Sequence, residues 1–225
     1  MRVCIDIAPA VHQRAGICRY AREIVTAMLE VDREQEIVVF YNHASTAQVP
    51  APLDRLPRLT TEMPNKAWRL SVLLSHLARN PQDRLFPHVS LFHATDHLLP
   101  RLEHGSTIFT LHDLSFRHFP ETHSILNRFF LSLMLGRFLH AANAIIAVSE
   151  ATKRDAIQLY GIDDSKVVVI YEGANPRFAP EPTTVQEQIR QKYNLPAIYA
   201  LFVGTIEPRK NLVSLLKAFR ITRER

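Results

Sequence analysis

With 225 residues, 47% apolar and 22% charged, the chain can bury one full core and leaves a remainder too short for a second, which excludes disordered and fibrous classes. The formal charge of +5 comes from 15 basic against 13 acidic residues before Ser149 and 12 against 9 from there on; no Lys/Arg-rich run exists, so nucleic acid is not an expected partner. Two cysteines, Cys4 and Cys18, build neither a disulfide framework nor a zinc site, and the opening Met1-Arg2-Val3-Cys4-Ile5-Asp6 is interrupted too soon for a signal peptide, so a reducing, cytoplasmic setting is expected.

Strand and helix signals alternate along the chain, the pattern of a doubly wound parallel α/β sheet. An apolar strand over 3–7 runs into a loop at Pro9. From Gly16 a helical period places Ile17, Tyr20, Ile24, Ala27, Met28 and Val31 on one face, and 36–41 is a second buried strand. Residues 47–64 hold four prolines and predict an irregular connection with one short strand. Trp68, Leu70, Leu73, Leu74 and Leu77 predict an amphipathic helix whose Trp68 is a core residue; with Lys66 and Arg69 the same helix offers a peripheral membrane contact as the second reading.

Strands follow at 89–93 and 107–111, then a long helix over 122–140. The apolar stretch 125–148 is broken by Asn127, Arg128, Arg137, His140 and Asn143 and cannot span a bilayer. After a strand at 144–148, Ser149 is placed to cap a helix that Gly161 ends. The strand 167–170 closes a first domain of 1–171. Residues 172–182, rich in proline, read as a hinge. The remainder, 183–225, predicts a helix over 184–193, a strand over 200–203 and a helix starting at Pro208: the incomplete start of a second domain.

Among candidate site residues, His112 follows a buried strand and so stands at the carboxyl edge of the sheet, where open α/β folds bind ligands. Gly16 opens a helix after the first strand, where a glycine admits a ligand close to backbone. Arg209 and Lys210, expected in the first turn of a helix after Pro208, stand at its positive end, which suits them only if an anion lies between. His88, His93, Asp96 and His97 invite a metal reading, but strand-end spacing argues against a preformed site, and no metal is assigned. A Gly-x-Gly-x-x-Gly fingerprint is absent, which disfavours a nicotinamide or flavin enzyme.

Gly16-Ile17-Cys18-Arg19-Tyr20, Thr110-Leu111-His112-Asp113-Leu114 with Phe119-Pro120-Glu121, Ala147-Val148-Ser149-Glu150, and Val203-Gly204-Thr205-Ile206-Glu207-Pro208-Arg209-Lys210-Asn211 stand in this order. Together they resemble the retaining glycosyltransferases of the two-Rossmann-domain (GT-B) type, family 4 or group 1, and within them the mannosyltransferases. The resemblance implies transfer of a hexose such as mannose from a nucleotide-diphosphate sugar to a glycan or lipid-linked acceptor, without cofactor or metal. It implies His112 beside the donor sugar and acceptor, orienting hydroxyls. Gly16, Arg19 and Tyr20 would form the acceptor or phosphate loop, and Gly204, Arg209 and Lys210 the donor side. Cys18 and Thr205 depart from the family pattern, where many members carry a glycine and a basic residue. The family's spaced glutamate pair, which binds donor sugar and ribose, would lie beyond Lys210 and past Arg225. The chain alone is therefore expected to be inactive, and the rival reading is a non-catalytic remnant or partner-binding domain.

Overall fold

The computed structural model describes residues 1–13, 15–31, 34–42 and 48–223; the side chains of Ala15 and Arg209 fall outside that description. The apolar runs form seven parallel strands: β1 (Arg2–Asp6), β2 (Glu36–Asn42), β3 (Arg58–Thr61), β4 (Leu91–Ala94), β5 (Ser106–Leu111), β6 (Ala144–Ala147) and β7 (Val167–Val169). Their order in the sheet is β3-β2-β1-β4-β5-β6-β7, every neighbouring pair parallel. The winding direction reverses between β1 and β4, the point at which such sheets open a crevice at their carboxyl edge. The fold is α/β, doubly wound and Rossmann-like.

The helices are α1 (Ala8–Val11), α2 (Ala15–Val31), α3 (Asn65–Leu77), α4 (Ser115–His118), α5 (Ile125–Ala141), α6 (Glu150–Tyr160), α7 (Thr183–Tyr193) and α8 (Leu212–Arg223). On one face α3, α5 and α6 bury Trp68, Phe138, Leu139 and Ala156 with Phe40, Phe92, Phe109 and Ile145 of the strands. On the other, α1 and α2 cover Val3, Ile5, Ile37 and Val39. That second cover is short. Beyond β4 it leaves Ile108 and Ile146 half-buried and Val168 54% exposed.

The two amphipathic readings are right about the helices and about Ile24, Met28, Trp68 and Leu73, which pack against the core, but the centres of the inner faces lie elsewhere. In α2 the buried residues are Ala21 and Val25, while Ala27 and Val31 are exposed. With Ala21 and Val25 in the core, Tyr20 is turned toward β5, its hydroxyl 3.0 Å from Thr110 Oγ1. In α3 the inward residues are Trp68, Val72 and Ser75, with Leu70, Leu74 and Leu77 outside. Trp68 sets that rotation: its ring lies 5.2 Å from that of Phe40 and is 2% exposed, so it is core. Ser75 is satisfied locally, its hydroxyl donating to the Val72 carbonyl at 2.8 Å.

Capping follows the sequence. Ser124 accepts from Asn127 N and starts α5 later than 122; Ser149 accepts from Thr152 N, and Gly161 ends α6 in the left-handed region at φ 65°. The strand expected over 200–203 is absent: those residues are extended coil with Leu201 76% and Val203 83% exposed. A single strand with no neighbour to bond has no ladder to join. The expected helix at Pro208 is a 3₁₀ turn over Pro208–Lys210, closed by Asn211 at φ 49°, and α8 begins only at Leu212. No helix among the described residues is long and apolar enough to cross a membrane.

Gly105 is the glycine the fold cannot replace. Its φ is +85°, and a Cβ there would lie 2.7 Å from the Val89 carbonyl oxygen. Gly105→Ala should destabilise the domain by about 1–3 kcal/mol. Urea denaturation with an unchanged slope and a lower midpoint would show it; an unmoved midpoint would contradict it.

Candidate functional site

Because β4 and β5 are neighbours, the residues that follow them meet at the carboxyl edge. The Thr95 hydroxyl donates to the Asp6 carbonyl at 2.6 Å, tying the end of β4 to that of β1 across the reversal point. The Asp6 carboxylate accepts from Ala8 N at 2.8 Å and holds the loop into α1. Thr95 then presents its own carbonyl oxygen to His112 Nε2 at 2.9 Å. The other ring nitrogen, Nδ1, lies 3.2 Å from the Glu172 carboxylate, and Tyr20 packs edge-on to the imidazole at 4.8 Å and 88°. His112 is thereby clamped from β4, α2 and the segment after β7.

One side of His112 faces a cavity of about 280 Å³ whose wall includes Ile17, His97, Ser115, His123 and Glu207. Asp113 serves its loop structurally, its carboxylate accepting from Ser115 N at 2.8 Å at the start of α4. A second groove of about 570 Å³ runs between α2 and the segment after β7; it is lined by Gly16, Arg19, Tyr20, Glu23, Ile24, Ile146 and Ile170, with Glu172 at its edge. Tyr20 and Glu172 line this groove and touch His112, so they join the two spaces.

Of the residues read from sequence, the structure brings His112, Tyr20, Arg19 and Gly16 to one edge. Arg19 stacks its guanidinium 5.2 Å above the Phe178 ring. Gly16 has no Cβ neighbour within 4 Å and no left-handed φ, so neither packing nor backbone demands a glycine there. Lys210 and Gly204 are exposed and do not line either space. Arg209 lies in the 3₁₀ turn, its side chain among those not described. From that end of the chain it is Glu207 that reaches the His112 cavity.

The metal candidates separate. His93 turns to Thr110 at 2.8 Å, while His97 Nδ1 pairs with Asp96 at 2.6 Å. Among the described residues no three His, Cys, Asp or Glu side chains converge as a metal site would need. Sequence reasoning missed Thr95, Glu172, His97, His123 and Glu207 as neighbours of His112. For Thr95 and Glu172 the available signal was position: each falls just past a strand end, at the same edge as His112.

Burial pushes His93 down to about 4, with the nearby His112 adding to the effect. The unfolded chain takes up this proton near pH 6.5 and the folded chain resists it until about pH 4. Stability from this group is therefore complete above the ordinary histidine range and falls as pH drops through that window, by up to roughly 3 kcal/mol. The stability difference between the protein and His93→Gln should accordingly shrink between pH 7 and pH 4; a constant difference would contradict the assignment. Gly16→Ala should leave stability unchanged or raise it by about 0.5–1 kcal/mol, since alanine suits a helix better. A loss seen on thermal melting would show that the position matters to the fold.

Comparison with known proteins identifies the family. The family model described as Glycosyltransferase Family 4 matches residues 15–178. O-antigen chain mannosyltransferase B of Escherichia coli is 28% identical over 238 residues, covering 98% of this chain and 60% of the relative. D-inositol 3-phosphate glycosyltransferase of Kineococcus radiotolerans is 37% identical over 81 residues, covering 36% of this chain and 19% of its own. Among solved structures, HepE of Anabaena in complex with UDP-glucose has a TM-score of 0.53 at 17% identity, covering 86% of this chain and 50% of that one. The chain thus spans about 60% of the first of these relatives and half of the solved structure. With the family model matched from α2 to beyond β7, over more than half of its residues, the chain belongs to glycosyltransferase family 4.

Proposed function

We propose that residues 1–171 are the acceptor-side domain of an enzyme that transfers a hexose, mannose by preference, from a nucleotide-diphosphate sugar to a glycan or lipid-linked acceptor with retention at the anomeric carbon. Residues 172–182 would be the linker and 183–225 the start of the donor-binding domain. The observation that carries this reading is His112, clamped at the carboxyl edge beside the reversal point and facing a cavity. The names of the relatives support it: a mannosyltransferase covers almost the whole chain, and a structural neighbour holds UDP-glucose.

In this reading His112 binds and orients hydroxyls of donor sugar and acceptor. The acceptor oxygen forms its bond to the anomeric carbon as the bond to the diphosphate breaks, and the acceptor proton passes to the departing diphosphate on the same face. Gly16, Arg19 and Tyr20 border the acceptor and phosphate groove. Gly204, Arg209 and Lys210 take the diphosphate once a complete second domain fixes them. Any membrane contact falls to the exposed Leu70, Leu74 and Leu77, since Trp68 is buried; flotation with anionic vesicles tests this, and no binding would remove it.

The exposed Leu201, Val203, Leu216 and Phe219 favour a second reading, a non-catalytic domain that holds a partner. The deciding experiment assays the chain, and the chain extended by a complete second domain, on a panel of GDP- and UDP-hexoses with product stereochemistry read by NMR. Retained-configuration transfer by the extended protein, falling about 100-fold in His112→Ala, is the expected result. Unchanged turnover in His112→Ala, or inversion, would sink the assignment, and no transfer from any donor would leave the partner-binding reading.

A further inference from the structure

Two polar side chains lie under Tyr20 where an apolar pair would suffice for the fold. His93 on β4 and Thr110 on β5 project to the α2 side of the sheet and are 5% and 1% exposed. On that face the neighbouring strand positions are Ile5, Val39, Leu91 and Ile108. A buried imidazole and hydroxyl are costly in such surroundings unless each is satisfied. Here they satisfy one another: His93 Nε2 is 2.8 Å from Thr110 Oγ1, which is 3.0 Å from the Tyr20 hydroxyl. Tyr20 in turn meets His112 edge-on at 4.8 Å.

Building on the reading of His112 as a substrate-contacting residue, we infer that His93 and Thr110 are positioning residues, which through Tyr20 set the angle at which His112 faces the cavity. The Thr95 carbonyl holds the imidazole at Nε2 and the half-exposed Glu172 carboxylate holds it at Nδ1. Rotation about the line between those two contacts is stopped by the Tyr20 ring, and the Tyr20 ring is stopped by its hydroxyl. Burial keeps the His93 imidazole neutral at physiological pH, so it offers one N–H and one lone pair. Either tautomer completes the chain with one proton per bond. If Nε2 accepts, protons point from Tyr20 through Thr110 to His93; if Nε2 donates, they point the opposite way. In both cases the Tyr20 ring is anchored from below while its groove side stays open. The device is built from adjacent strands, so it is as rigid as the sheet.

Thr110→Val removes the central hydroxyl, and Thr110→Ser keeps it. In carbon–proton spectra of the 225-residue chain, with His112 ring signals identified by their loss in His112→Ala, Thr110→Val should move the His112 signals toward positions free of the Tyr20 ring current. Thr110→Ser should restore them. In the extended, transferring protein, Thr110→Val should lower kcat about 10-fold with little change in KM for the nucleotide sugar, and Thr110→Ser should stay within about 2-fold of the parent. Should Thr110→Val not fold, Tyr20→Phe breaks the same chain and should move the same signals. His112 signals that stay put in Thr110→Val or Tyr20→Phe, or that move equally in Thr110→Ser, overturn the inference. The spectra judge the anchoring and His112→Ala judges the transfer reading, so intact anchoring in a protein that transfers without His112 would sink the latter alone.

Discussion

Strands that all run parallel must each be reached by a crossover that carries the chain back to the starting edge, so all their carboxyl ends line up together. In this sheet that constraint collects Ile7, Thr95, His112, Val148 and Ile170 along one edge, although they are scattered through most of the chain. The Thr95–His112 bond exists because β4 and β5 are hydrogen-bonded in register, and the Thr95–Asp6 bond because β4 also borders β1. The backbone ladder assembles the site, and side chains refine the result.

Uneven wrapping of the sheet gives that edge its second feature. Three helices cover one face, but on the other only the short α1 and α2 do, and β6 and β7 are left incompletely covered. The resulting trough is bordered by Tyr20 and Glu23 of α2 and by the segment that leaves β7. That segment is tied down at Glu172 by His112, at Asn175 by a 2.9 Å bond to the Glu23 carboxylate, and at Phe178 by Arg19. The segment after β7 therefore touches the same side chains that line the trough.

Residues 183–223 differ: among the described residues of this stretch no hydrophobic side chain is buried. α7 and α8 hold their local hydrogen bonds but bury no residue, and Ile198, Leu201 and Val203 face outward. Local helix signals survive without tertiary support more readily than strand signals, whose bonds must come from another strand. This is why the helices around residues 188 and 217 formed and the strand over 200–203 did not. Lys210, expected on the donor side, is exposed like most of this stretch.

By itself the sequence determined the elements of the first domain and their class. Apolar runs over 3–7, 36–41, 107–111 and 144–148 read as strands of a parallel sheet because strand and helix signals alternate, and Ser149 with Gly161 brackets α6 because capping is a local interaction. It also placed His112, since a residue after a buried strand of a parallel sheet has only one edge to occupy. What only the tertiary structure decided is which faces turned inward and which residues became neighbours. Trp68 against Phe40 rotated α3, burial of Ala21 and Val25 set the rotation of α2, and that second rotation brought Tyr20 over Thr110 and His93. Periodicity within one helix specifies an apolar stripe but not the partner whose shape selects its centre. Distances of 17 and 90 residues along the chain separate Thr110 from His93 and Tyr20, and only the closing of the sheet brings them within hydrogen-bond reach.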